Sequence, residues 1–286
     1  MLGGVLALFL LSVLLVLFAN VWFLLANEQG EGGWRVFVRA LRDPEVHFAI
    51  RLSMTTAGIT MLLSMFFAIP AAYVLSRYEF FAKGLVDTLI DLPIVIPPPV
   101  IGMSLLLVFS RYVPVGPFLN SVSPAWFVTA SNQFLTLMTG HEIADTAKWA
   151  LSTRGIILAQ FFVACSFGVR AMKSTFDTLG RRHEDVARTL GCTRRQAFFR
   201  VVLPMAAGGI LAGAVMTWAR AIAEFGPILF FCGSTRMKTE VMPVAMFLLN
   251  SEGDIERSVA LVIIMILISA LTLLTFKKLG GKGYLW

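Results

Sequence analysis

The sequence predicts an all-α membrane protein with six transmembrane helices and both termini cytoplasmic. Three observations predict it. Hydrophobic residues make up 57% of the 286-residue chain and charged ones only 14%, against about 45–50% and about 25% in a soluble domain; the mean hydropathy is +0.79. Apolar runs long enough for a hydrocarbon core, which takes about 20 helical residues, recur along the chain. Between two of them stands a strongly basic segment, and Lys and Arg gather on the cytoplasmic side of membrane proteins. That rule accounts for the net charge of +7 without a nucleic-acid partner. Cys165, Cys192 and Cys232 show neither metal-ligand spacing nor a disulfide framework and read as packing residues.

Gly3 to Asn27 is the first uncharged run. A cleavable signal peptide is the competing reading, but no Lys or Arg precedes Arg35 and the run exceeds the usual ~7–15-residue apolar region of such peptides. Residues 28–50 are polar, with Asp43-Pro44-Glu45 as a helix-start signal. Leu52 to Leu75 is the second span. Leu85 to Phe109 is the third, interrupted by Pro93 and by Pro97, Pro98 and Pro99. Successive prolines remove backbone donors, and in a bilayer such a break survives inside protein or beside a water-filled cavity. A pathway element and a structural kink are both compatible with it.

Residues 111–154 form the longest loop, with Pro114, Gly116, Pro117, Pro124 and Gly140 as turn signals and Trp126, Phe127 and Trp149 suited to an interface. Gly155 to Met172 is the fourth span. Met205 to Ala223, rich in Gly and Ala, is the fifth and belongs at a close helix contact, in the bundle centre or a dimer. Ile228 to Phe231 and Val241 to Leu249 are too short to span and read as re-entrant or interfacial. Val259 to Phe276 is the sixth span. The loop after the fourth span, counted with Arg170, Lys173, Arg181, Arg182, Arg188, Arg194, Arg195 and Arg200, is cytoplasmic and places both termini inside. Arg35, Arg39, Arg42 and Arg51 then fall outside, against the rule.

The segment Arg181 to Pro204 reads as two short helices around a break. Val186, Ala187 and Leu190 share one face of the first, Gly191 ends it in a left-handed conformation, and Thr193 with Gln196 forms a capping box for the second. Pro204 marks a bend. An ordinary basic loop is the alternative to a docking element. The spacing Asp185-Val186-Ala187, three residues, Gly191, nine residues, Val201, one residue, Leu203-Pro204 resembles the EAA loop of ABC-importer permeases, Glu-Ala-Ala, three residues, Gly, nine residues, Ile, one residue, Leu-Pro. Asp for Glu, Val for the first Ala and Val for Ile are the departures. Leu52 to Thr56, Ile69 to Tyr73, Leu92 to Pro98, Arg188 to Gly191 and Ala219 to Gly226 look like the molybdate, tungstate and sulfate permeases, a similarity covering roughly residues 43–276.

That resemblance implies a type I ABC-importer permease fold. It implies an N-terminal helix and outer polar segment over 1–42, a permease core over 43–276 with a cytoplasmic coupling loop at 177–204, and a cytoplasmic basic tail over 277–286. It implies a translocation path for an oxyanion, in a homodimer of this subunit with two ATP-binding-cassette ATPase subunits and an external binding protein, in a bacterial or archaeal plasma membrane. A permease for thiamine, iron or phosphate would carry the same loop, and a membrane-embedded enzyme is the rival from another class. Glu184, Asp185, Val186, Ala187, Leu190, Gly191, Val201, Leu203 and Pro204 are the expected coupling residues, with Val186, Ala187 and Leu190 filling a groove on the ATPase. Asp185 is placed either to interact with the N-terminal end of its own helix or to contact the partner.

Arg220 and Glu224 are four apart at the outer end of the fifth span. They read either as a structural ion pair or, with Pro97, Pro98, Pro99, Phe225 and Gly226, as part of the path. No catalytic or metal constellation is expected from His47, His141 and His183, each in a polar loop. No Gly-rich phosphate loop occurs, so ATP and Mg are expected on a separate subunit and no cofactor on this one.

Overall fold

The computed structural model describes residues 2–26, 33–110, 113, 118, 125–142 and 149–279. Among the described residues the chain is helical, without strands. Helix α1 is Leu2–Ala26, α2 Gly33–Arg42, α3 Pro44–Arg77, α4 Lys83–Val95, α5 Pro98–Val108 and α6 Ala125–Thr139. Helix α7 is Thr153–Thr178, α8 Arg182–Thr189, α9 Arg194–Met205, α10 Ala207–Ile222, α11 Gly226–Cys232, α12 Met242–Ser251 and α13 Ile255–Leu279. Four helices, α1, α3, α7 and α13, are long and apolar enough to cross a membrane. Two pairs reach that standard only together: α4 with α5, bent by 108°, and α9 with α10, bent by 71°. Counting each pair as one span gives up to six.

Helices α3, α7 and α10 make the centre. Small residues set their spacing. Gly168 of α7 faces Thr217 and Ala68, and Gly213 of α10 faces Ala171, Met172 and Met65. A Cβ at Gly209 would come within 2.1 Å of Thr175. The Gly-rich fifth span is therefore a central helix of the bundle, as close approach through small residues requires. Two buried polar side chains there satisfy each other and the backbone: Thr60 Oγ1 donates to Gln160 Oε1 at 3.0 Å, and Gln160 Nε2 donates to the Ala221 carbonyl at 3.0 Å. Helix α1 lies at the periphery, its apolar window wholly exposed.

The boundaries differ from expectation in four places. Helix α3 begins at Pro44, not Leu52, because the Asp43 side chain accepts from the Glu45 N–H at 2.9 Å and Pro44 occupies the first turn. Its 34 residues extend about 51 Å, well beyond a hydrocarbon core. The polar segment before it contains the amphipathic helix α2. The long loop contains α6, closed by Gly140 at φ +72. Helix α7 runs on to Thr178 rather than ending at Met172. Pro114, Gly116, Pro117, Pro124, the side chains of Trp126 and Phe127, and residues 280–286 of the basic tail lie outside the described residues.

The proline run does not lie inside a helix. Pro97 caps α5 and Pro98 and Pro99 form its first turn, where a missing N–H costs nothing. Helices α11 and α12 are short, and α11 is packed into the core against α5 and α7.

Candidate functional site

The basic segment folds as the sequence indicates, from local signals. At the end of α8, Gly191 has φ +91. Its N–H donates to the Arg188 carbonyl at 3.1 Å and the Cys192 N–H donates to the Ala187 carbonyl at 3.1 Å. This is a complete Schellman closure. Thr193 Oγ1 then accepts from the Gln196 N–H at 3.3 Å while Gln196 Oε1 accepts from the Thr193 N–H at 2.9 Å, the reciprocal capping box. Helix α9 contains one π turn, Phe198–Val202, in which the Leu203 N–H donates to the Phe198 carbonyl. Pro204, which has no N–H to give, follows at once, and the axis turns by 71° into α10.

A Cβ at Gly191 meets nothing within 4 Å, so only backbone strain opposes substitution. Gly191→Ala is expected to cost about 1–2 kcal/mol, read as a lower melting temperature of the purified protein, and Gly191→Pro considerably more, because proline cannot adopt a positive φ.

The element has two faces. Outward stand Leu190, 81% exposed, Val186, 51% exposed, and Phe199, among the exposed side chains of Asp185, Arg188, Arg194 and Arg195. Inward, Ala197 and Val202 are buried, and Phe198 packs on the Tyr73 ring at 4.6 Å. Ala187 is 7% exposed and belongs to this inner face, which corrects its grouping with Val186 and Leu190: on a helix of two turns the chain's own packing takes one edge of the apolar stripe. Glu184 also turns inward. Its Oε1 accepts from the Tyr73 hydroxyl at 2.5 Å and its Oε2 lies 3.4 Å from Arg77 Nε. Val201 and Leu203 are half-buried and Pro204 is exposed. Asp185 stays exposed, 4.0 Å from Arg188.

At the far end of α10, Arg220 and Glu224 pair at 2.6 Å. Glu224 is 2% exposed, whereas the Arg220 side chain keeps 26% of its surface and lies over the Phe167 ring. The proline run and the Glu224–Gly226 segment meet: a Cβ at Gly226 would sit 3.0 Å from Pro99 N and Cδ. Three residues on, a Cβ at Gly102 would sit 2.7 Å from both Cα and the carbonyl oxygen of Pro227. Helices α5 and α11 thus cross with their backbones in contact. The structure brings together Pro99, Phe225 and Gly226, with Arg220 and Glu224 on the adjoining turn.

Residues 61–280 match the model of one protein family, described as the binding-protein-dependent transport system inner membrane component. The chain belongs to this family. Among similar proteins are the molybdate/tungstate transport system permease protein WtpB of Thermococcus kodakarensis, 38% identical over 194 residues, covering 68% of this chain and 64% of that protein. The sulfate transport system permease protein CysT of Escherichia coli is 28% identical over 258 residues, 90% of this chain and 85% of that one. The molybdenum transport system permease protein ModB of Haemophilus influenzae is 31% identical over 235 residues, 82% and 93%. The match thus spans 64%, less than two thirds, of WtpB from Thermococcus kodakarensis and of WtpB from Pyrococcus abyssi. A solved bacterial alginate ABC transporter, in complex with an alginate-bound periplasmic protein, superposes with a TM-score of 0.65 over 96% of this chain and 91% of that one at 20% identity, a likeness of fold.

Two sets of residues in this family member escaped the sequence reading. Tyr73, 111 residues away in the chain, and Arg77 hold Glu184, and nothing local signals that pairing. Arg170, read as part of the basic loop, lies within α7 and pairs with Asp87 at 2.9 Å and, through both carboxylate oxygens, with Asp91 of α4. The acidic residues Asp87 and Asp91 inside the third apolar run were the available signal. Among the described residues no group of three His, Cys, Asp or Glu side chains converges as a metal site would.

Proposed function

We propose that this chain is the permease subunit of an ATP-binding-cassette importer and forms the translocation path for a tetrahedral oxyanion, molybdate, tungstate or sulfate, delivered by an external binding protein. It works as a homodimer with two ATPase subunits, which bind ATP and Mg, in a bacterial or archaeal plasma membrane with both termini cytoplasmic. The observation that carries the reading is the capped element 182–205, whose outer face presents Val186, Leu190 and Phe199 without cover from this chain. Large apolar side chains on a charged, water-facing element are what a protein partner buries. Asp185, Arg188, Arg194 and Arg195 rim that face. Closure of the ATPase subunits is passed through α9 into α10 and through Glu184 into α3, shifting the bundle between two packings.

The docking face is tested by a change that leaves this chain's own packing alone. Leu190→Asp, at an 81% exposed position, is expected to leave the melting temperature of the isolated subunit unchanged and to abolish co-purification of the ATPase subunit from native membranes. Co-purification at the wild-type level would remove the docking role.

The oxyanion reading rests on the named substrates of the relatives and on Arg220. Its carboxylate partner is buried while the guanidinium retains access and lies over the Phe167 ring. Removing Arg220 alone leaves Glu224 buried without a counter-charge, so the informative variant is Arg220→Gln with Glu224→Gln. It is expected to assemble normally and to raise the KM for oxyanion uptake about tenfold, the loss of one charge-assisted contact. An unchanged KM in vesicles would leave the pair a purely structural one.

A further inference from the structure

The exception to the charge rule has a structural form. Helix α2 carries Arg35, Arg39 and Arg42 at positions one and two turns apart, all exposed. The opposite face is buried: Val36 and Ala40 pack with Ala260, and Phe37, Val259 and Ile263 close around them. The helix is therefore fixed on the first turns of α13, beside the end of α1. With α1 and α13 as spans, that level is where the apolar stretch of each begins or ends, the depth of the phospholipid headgroups. Four acidic side chains near this end, Asp43, Glu45, Glu252 and Asp254, pair with Arg236 and Arg257. Arg236 lies 3.5 Å from Glu45 and also pairs with Glu252, while Arg257 lies 3.6 Å from Asp43 and 3.2 Å from Asp254. Arg35, Val38, Arg39 and Arg42 line one shallow depression of about 360 Å³.

We propose that this depression binds the phosphate of an anionic phospholipid. Guanidinium groups bind phosphate oxygens bidentately, and a helix with one basic and one apolar face at the end of a span is an interfacial element. A lipid is favoured over a freely diffusing oxyanion because the site lies beside the lipid-exposed α1, whose apolar window is wholly uncovered, and the acyl chains have that surface to lie on. The proposal rests on the membrane-spanning reading of α1 and α13 and not on the docking or path residues.

The test is native mass spectrometry of the full chain, purified with its partners in mild detergent and titrated with phosphatidylglycerol or phosphatidylcholine. The wild type is expected to retain phosphatidylglycerol in preference to phosphatidylcholine. R35Q with R42Q should weaken that retention about 30-fold, the factor carried by two charges at roughly 1 kcal/mol each. R35K with R42K should keep most of it. Four results would overturn the proposal: no preference in the wild type, equal retention in the Gln variant, displacement of the lipid by inorganic sulfate or phosphate at matched concentration, or loss of an associated protein with lipid retention unchanged. The ATPase signal in the same spectra reports separately on the permease reading.

Discussion

Gly102→Val should give a protein that does not assemble a stable bundle, and Gly102→Ala one destabilised by about 3 kcal/mol. The atoms decide this. A Cβ at position 102 would lie 2.7 Å from Pro227 Cα and 2.7 Å from the Pro227 carbonyl oxygen, with Phe230 Cβ at 3.0 Å. Overpacking a core costs about 1–3 kcal/mol when side chains can shift. Here the obstacle is backbone at the start of α11, held by Pro227 in the first turn, so the cost stands at the top of that range. Relief requires α5 and α11 to separate, and these helices carry Pro99 on one side and Gly226 on the other, so transport should fail at temperatures where the alanine variant is still folded. Gly58 supplies the comparison. A Cβ there meets nothing within 4 Å, and Gly58→Ala in the middle of α3 should be neutral or stabilising by about 0.5–1 kcal/mol. Thermal melting in detergent separates the two. Melting of Gly102→Ala at the wild-type temperature would mean that α5 and α11 do not cross this closely.

What could be read in the sequence were features encoded within a few residues. Gly191 with the Cys192 and Ala187 backbone, Thr193 with Gln196, and Asp43 with Glu45 are closures inside one helical turn, and the residue types alone specify them. The proline run was legible as a break for the same reason, since proline geometry is local. Its angle was not: the 108° bend is set by where α11 docks, through Gly102 and Gly226. Helix α2 was hidden because three arginines in ten residues make an amphipathic helix look merely polar. Helix α6 was hidden by the turn signals around it, although Arg154 needs it: the guanidinium donates to the Val128 carbonyl, Ser131 Oγ and Asn132 Oδ1 at 3.0, 3.0 and 2.8 Å. Arg170 was misplaced because a first charged residue reads as the end of a span unless its counter-ions, Asp87 and Asp91 on another helix, are visible. Ala187 shows the limit of periodicity. Helical spacing identifies an apolar stripe but not which part of it the chain itself covers.

Glu184→Ala should separate the capped element 182–205 from α3 and cost about 3 kcal/mol, the low end of the figure for breaking a buried ion pair. The side chains of Arg77 and Glu184 keep only 7% and 12% of their surface, so the cation left behind is poorly served by water. Tyr73, which donates to the same carboxylate, loses its acceptor too. Two observables distinguish a mechanical link from a stabilising one. Amide exchange over residues 182–197 should accelerate in Glu184→Ala, because α8 then remains tied to α3 mainly through the weaker contacts of Arg77 with the Gly180 carbonyl and Arg181 with the Ser76 carbonyl, each at 3.3 Å. In the importer assembly proposed above, ATP hydrolysis should persist while solute uptake falls about tenfold, within the range of coupling free energies between sites. Arg77→Met with Glu184→Met replaces the pair by apolar bulk, a change that recovers much of the stability of a buried pair. If uptake stays low in that stable double variant, the Glu184 contact transmits motion from the docking face into α3. If uptake returns with stability, the contact only holds the fold, and the drive passes through the π turn and the bend into α10 alone.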